Sequence, residues 1–169
     1  EPVANKEDLA LMAHLLRRAG FGVDRNELER LVGQGYEKTV EDLLNPASQP
    51  ETDKYTLYRY HPASEISGGG HSPAQLNWFF YLVNNQRHLE EKIAVFWHQV
   101  FATGNAKIDN SNHLSNQIQK FRDHGLGNYR ELLLHLAKDP AMIFWLDNNE
   151  NHKKAPNENW GRELLELFS

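Results

Sequence analysis

The sequence predicts an all-α fold: an orthogonal multi-helix bundle packed around one central buried helix at about residues 88–102, as a single domain over residues 1–169. Three observations predict it. Apolar residues recur three and four positions apart from end to end, and no stretch alternates as a half-buried strand does. Capping residues stand before most of these periodic stretches, with glycine or proline after them. The stretch from His88 to Ala102 carries Leu89, Ile93, Ala94, Val95, Phe96, Trp97, Val100 and Phe101, apolar almost all round, as in a helix surrounded by others.

Each element follows in chain order. Leu9, Met12 and Leu16 put one apolar face on a helix over Lys6 to Ala19, closed by Gly20. Asp24 with Glu27 three residues on reads as a capping box opening a short helix through Leu28, Leu31 and Val32, broken by Gly33 and Gly35. Tyr36, Val40, Leu43 and Leu44 mark a third helix that ends before Asn45-Pro46. From about Pro46 to His71 the prolines 46, 50 and 62 and the run Ser67-Gly68-Gly69-Gly70 predict a long irregular loop, whose Tyr55, Tyr58 and Tyr60 pack on the surface or stack on a ligand. Ser72-Pro73 with Gln75 opens the next helix, and Asn84-Asn85-Gln86 interrupts it ahead of the central one. Leu114, Ile118 and Phe121 define a helix stopping at Gly125. Asn128 with Glu131 caps another, and Asp139-Pro140 starts a short one through Ile143, Phe144 and Leu146. A polar loop over 147–157 leads to a last helix with a stripe of Trp160, Leu164 and Leu167. That stripe meets Ser169 without a cap, which predicts that further sequence follows and covers it.

Composition narrows the function. Of 169 residues 40% are hydrophobic and 24% charged, a globular balance that supports a core of domain size. The net charge of −5, with no basic block, argues against a nucleic-acid partner. No apolar run, Ile93 to Trp97 among them, is long enough to cross a membrane. There is no cysteine, which excludes disulfides and thiolate metal sites.

Three polar constellations are candidates for chemistry. Glu91 and His98 stand seven residues apart on the apolar central helix, within about 20° of one another around its axis. Such a pair serves as general base or metal ligands; alternatively His98 is a core histidine and Glu91 pairs with an arginine of the first helix, Arg17 or Arg18. In the second, Asp147, Asn149, Asn151 and Glu158 occupy positions 1, 3, 5 and 12 of a loop between helices, the oxygen-ligand positions of a calcium site. His152 replaces the glycine such a loop carries at position 6, and Lys153 and Lys154 follow it, so turn formation by the asparagines is the competing reading. The third is the edge of the last helix, where Asn159 and Glu163 face a cleft or, with Glu166, simply solvent. Histidines 61, 71, 113, 124, 135 and 152 fall outside any metal-ligand spacing. HExxH, GxSxG and a phosphate-loop lysine are missing from the sequence.

Three stretches together carry a family resemblance: His14 to Gly22 (HLLRRAGFG), Glu91 to Thr103 (EKIAVFWHQVFAT), and Leu126 to Phe168, with its Lys-Asp-Pro-Ala-Met and Pro-Asn-Glu-Asn-Trp-Gly-Arg-Glu-Leu-Leu-Glu-Leu-Phe motifs. The chain resembles the bacterial domain of unknown function 1800 family, departing from it in the glycine-rich 67–70 run. The resemblance implies an N-terminal portion of a longer exported protein, periplasmic or secreted, with no established activity. It also implies a gene neighbour of the sulfatase-like domain of unknown function 1501 family as partner. Three functions stay open. One is a helical scaffold or accessory protein for an extracytoplasmic enzyme, docking that partner or the chain's own further segment. Another is a hydrolytic or metal-assisted enzyme with a site near Glu91, His98, Asp147, Glu158 and Glu163. The third is a structural domain stabilised by calcium.

Overall fold

The fold is described from a computed structural model, covering residues 5–60 and 71–168. Ten α-helices and no strand stand among the described residues: α1 Lys6–Ala19, α2 Arg25–Gln34, α3 Tyr36–Leu44, α4 Lys54–Tyr60, α5 His71–Asn84, α6 His88–Val100, α7 Ser111–His124, α8 Tyr129–Leu136, α9 Pro140–Trp145 and α10 Asn159–Glu166. The all-α bundle expected from periodicity is what forms. No helix of the described residues is long and apolar enough to cross a membrane. The backbone gathers into two compact units, residues 1–52 with 84–92 and residues 53–83 with 93–169.

In the first unit, α1 begins at Asn5, whose side chain accepts from Glu7 N, and buries Leu9, Met12 and Leu16. Met12, Leu16 and Leu31 form the centre, with Leu15, Val23, Leu28, Val32 and Tyr36 packed on it. Asp24 caps α2 through Glu27 N at 3.0 Å, but the Glu27 carboxylate turns to Arg30, so only half of the capping box forms. Gly33 continues α2; Gly35, at φ 105°, is the breaker, in a conformation that suits glycine.

The second unit is built on Ala94, Phe101, Ile118, Phe121, Leu132, Leu136, Met142 and Phe168. Phe101 and Phe121 are completely buried, each worth about 1.5–3 kcal/mol relative to exposure. Phe101 packs its ring 5.5 Å from Trp97 and 4.8 Å from Phe168. Asn128 and Asp139 cap α8 and α9 as their spacing predicts.

Three expectations change. The irregular stretch begun at Pro46 contains a 3-10 turn, Pro46–Ser48, and then helix α4. Residues 54–60 hold neither glycine nor proline, and Asp53 caps them, accepting from Tyr55 N and Thr56 Oγ1. There Leu57 is the buried member, while Tyr55 is 83% exposed; the Tyr58, Tyr60, His71, Ser72 and Pro73 side chains, His61 and the run Ser67-Gly68-Gly69-Gly70 lie outside the described residues. The helix expected to be buried all round is buried at Glu91 and Ala94, half-buried along most of its length and open at Phe96. Trp160 and Leu164 of α10 and the following Phe168 already pack into the second unit's core; the exposed apolar residues are Leu165 and, just past the helix, Leu167.

Candidate functional site

In the second unit, α5, the end of α6, the turn after it and α7 enclose a cavity of about 260 Å³. Asn77, Trp78 and Tyr81 reach it from α5, His98 from α6, Thr103 and Asn105 from the turn. Ser115, Ile118 and Arg122 follow on α7 three and four residues apart, hence on one face. The Trp78 and His98 rings meet edge to face, centroids 5.1 Å apart.

The distinctive property of these walls is unmet hydrogen bonding. Four buried side-chain polar atoms have no partner among the described residues, and three of them, Asn77 Oδ1, Trp78 Nε1 and His98 Nδ1, belong to residues lining this one cavity. Each such atom costs about 1–3 kcal/mol, so natural folds carry few of them. Burial also pushes the His98 imidazole below its usual pKa, because desolvation disfavours the cation, and the ring is neutral at pH 7.

Next to these atoms the polar groups are fully engaged. The Thr103 hydroxyl donates to Gln117 Oε1 at 2.5 Å, and Gln117 Nε2 donates to Asp139 Oδ1 at 3.0 Å. Asp139 in turn caps α9 through Met142 N at 3.0 Å and binds Lys120 Nζ at 2.5 Å. Gln117 and Asp139 are wholly buried. The chain of bonds fixes one cavity wall, and it leaves Thr103 Oγ1 only lone pairs to offer.

Of the residues expected to carry chemistry, His98 alone lines this cavity. Glu91 lies in the first unit, 1% exposed, accepting from Asn85 Nδ2 at 2.8 Å, while Arg17 and Arg18 are exposed in the last turn of α1. No carboxylate stands among the described residues lining the cavity, so the expected Glu–His pair is not assembled there. Glu163 sits 3.7 Å from Arg162, which also donates to Asn159 Oδ1; Asn159 Nδ2 is bound to the Leu146 carbonyl. These contacts hold the start of α10 in place, and the cleft expected at Asn159 and Glu163 is not what they form.

The calcium-loop geometry does not form either. Asp147, at φ 57°, has its carboxylate 2.5 Å from Lys107 Nζ, which supplies the positive charge an ion would. Asn151 Oδ1 accepts from Asn157 N and its amide donates to Asn148 Oδ1; Asn149 and Glu158 are exposed. Asn157 Nδ2 donates to the carbonyls of Leu146 and Asp147. The side chains close turns, as short amides do in loops, and no group of three or more His, Asp or Glu that could hold a metal stands among the described residues.

A family model described as "Protein of unknown function (DUF1800)" matches residues 14–169. The chain belongs to the DUF1800 family. No curated protein and no solved structure matches it. The DUF1800 match spans the whole cavity and the Asp139 network. The Glu91–Thr103 stretch supplies buried Glu91 together with His98 and Thr103 at the cavity, and the Lys-Asp-Pro-Ala-Met motif supplies Asp139. Sequence reasoning missed Asn77, Trp78, Thr103, Ser115 and Arg122. The available signal was Asn77, a short amide inside the apolar run from Leu76 to Leu82.

Proposed function

We propose that this DUF1800 domain is a binding module for a small molecule, with the cavity around His98 as its site. The observation that carries the reading is that Asn77, Trp78 and His98, whose Oδ1, Nε1 and Nδ1 atoms are buried without a partner among the described residues, all line one hollow. A few unmet polar groups in a largely apolar concavity are what a ligand site presents before it is filled. Binding fits better than hydrolysis, because among the described residues lining the cavity no carboxylate stands to orient His98 or activate water. The test is a fragment panel read by ligand-observed NMR on the wild type and on Ser115→Phe, which places a ring in the hollow from α7. Fragments that bind the wild type and lose binding in the variant, with its helical circular dichroism unchanged, support the reading. A panel in which every hit binds both proteins equally would refute it.

A second reading, an accessory protein for an extracytoplasmic enzyme, is favoured by α5, where Leu76, Phe79 and Val83 are 52%, 66% and 66% exposed at one-face spacing. Its partner would be the neighbouring family 1501 product. Co-elution of the two purified proteins, abolished by Phe79→Glu, is the expected result; separate elution at micromolar concentration refutes it.

A further inference from the structure

Resting on the reading of this hollow as a ligand site, we infer that it takes one neutral hydroxylated ring, a monosaccharide or a cyclic polyol. The amide and hydroxyl residues Gln75, Asn77, Thr103, Asn105 and Ser115 line it, and no carboxylate does so among the described residues, so nothing there complements a cation. Arg122 is the charged residue on the wall. Its guanidinium carbon lies 4.5 Å above the centre of the Tyr81 ring and Nη1 donates to Gln119 Oε1 at 3.2 Å, an arrangement that uses the planar group for stacking.

The unmet atoms ask for mixed hydrogen bonding from the guest. Trp78 Nε1–H is a donor and requires an acceptor; Asn77 Oδ1, on the adjacent residue, requires a donor. Thr103 Oγ1, its proton committed to Gln117, also requires a donor. His98 Nδ1 takes either partner according to its tautomer. A ketone or ether would satisfy Trp78 and leave Asn77 and Thr103 unmet, and an ammonium would do the reverse while burying a charge. Hydroxyl groups give and accept at once, so a ring bearing several meets the whole set without charge. Trp78 and Ile118 supply apolar surface for the ring's C–H face. The hollow, at about 260 Å³, has room for a ring of this kind.

The experiment measures binding of D-glucose, N-acetyl-D-glucosamine and myo-inositol by ligand-observed NMR at about 10 mM, where a Kd of about 1 mM is near saturation. D-glucuronate and indole serve as charged and apolar comparators. Wild type, Ser115→Phe and Trp78→Phe are used, the last keeping an aromatic ring while deleting the N–H. The expected result is saturable binding of at least one neutral hydroxylated probe, lost in Ser115→Phe and weakened roughly two- to tenfold in Trp78→Phe, the value of one hydrogen bond. Binding confined to glucuronate or to indole overturns this inference while leaving the cavity a ligand site. So does silence from the hydroxylated probes when the fragment panel finds cavity-dependent ligands, and so does unchanged affinity in Trp78→Phe. Silence from the fragment panel as well removes the site itself.

Discussion

Asp139→Ala tests how far the second unit depends on its buried polar chain. The carboxylate is completely inaccessible and makes three bonds: to Met142 N at 3.0 Å, to Gln117 Nε2 at 3.0 Å and to Lys120 Nζ at 2.5 Å. Losing the cap on α9 costs about 1 kcal/mol. Stranding the Gln117 amide, itself 0% exposed, costs about 1–3 kcal/mol more. Lys120 is 27% exposed and can turn its ammonium to water, so its lost pair adds under about 1 kcal/mol. The sum is about 2–5 kcal/mol, a large part of the roughly 5–15 kcal/mol that holds an ordinary domain together. Asp139→Asn keeps an oxygen for Met142 N and Gln117 and should lose about half as much. Because Asp139 and Gln117 share a bond, adding Gln117→Leu to Asp139→Ala removes the stranded amide. The double variant should be at least about 1 kcal/mol more stable than the sum of the single losses implies. Urea unfolding followed by far-UV circular dichroism measures the wild type and the four variants, Gln117→Leu alone included. A loss below about 1 kcal/mol for Asp139→Ala, or additivity in the double variant, would refute the account.

Three further outcomes follow from the same coordinates. Gly125→Ala should lose about 1–3 kcal/mol in the same unfolding assay, since its Cβ would lie 2.7 Å from Trp97 Cδ1 and 2.9 Å from Ile93 Cγ2, beside the Trp97 Nε1 to Gly125 O bond. Gly161→Ala, exposed in the interior of α10 with nothing within 4 Å, should raise stability by about 0.5–1 kcal/mol, and a loss would mean that α10 is not helical there. Desolvation lowers the pKa of His98, and of His88 too, where Glu27 offsets part of it, so both rings fold neutral. The unfolded chain takes up protons first as pH falls through about 6.5; stability is full above that point and declines below it. Thermal melts between pH 7.5 and 5 should show the decline, with a shallower slope in His98→Gln.

The helices were legible because each is written by local chemistry. Asp24, Asn128 and Asp139 stand where a cap is needed, and Lys6 to Ala19 carries its stripe in plain view. Helix α4 escaped because Pro50 and Pro62 flank it closely and its cap, Asp53, bonds to Tyr55 and Thr56 without the acidic residue that completes a capping box. Gly125 was legible as a stop, but not for its reason: its backbone is ordinary right-handed helix, φ −67°, and the close approach of the Phe121 carbonyl, Trp97 and Ile93 demands the missing Cβ. The candidate site was legible only at His98. Its cavity mates come from α5, the turn after α6 and α7, separated by tens of residues, and no spacing rule joins Asn77 to Ser115. The contacts of the 147–158 loop were illegible for a similar reason: sequence spacing places the oxygens of Asp147 and Asn151, but it says nothing of Lys107, forty residues earlier, which pairs with Asp147.

The contrast between two neighbouring sets of polar groups gives the cavity its meaning. Thr103, Gln117, Asp139 and Lys120 form an unbroken chain of bonds, as buried polar groups do when nothing but folding shapes them. In the same unit Asn77, Trp78 and His98 bury polar atoms and leave them unmet, at a cost of about 1–3 kcal/mol each. A fold able to satisfy Gln117 and Asp139 completely has the means to satisfy a tryptophan N–H, and apolar side chains at those three positions would remove the cost altogether. Thr103 joins the two, because it lines the hollow and gives its hydroxyl hydrogen to Gln117. The satisfied chain therefore acts as the frame and the unsatisfied atoms as its open end. Damage to the frame by Asp139→Ala should weaken binding of any ligand that donates to Thr103, even though Asp139 does not line the cavity.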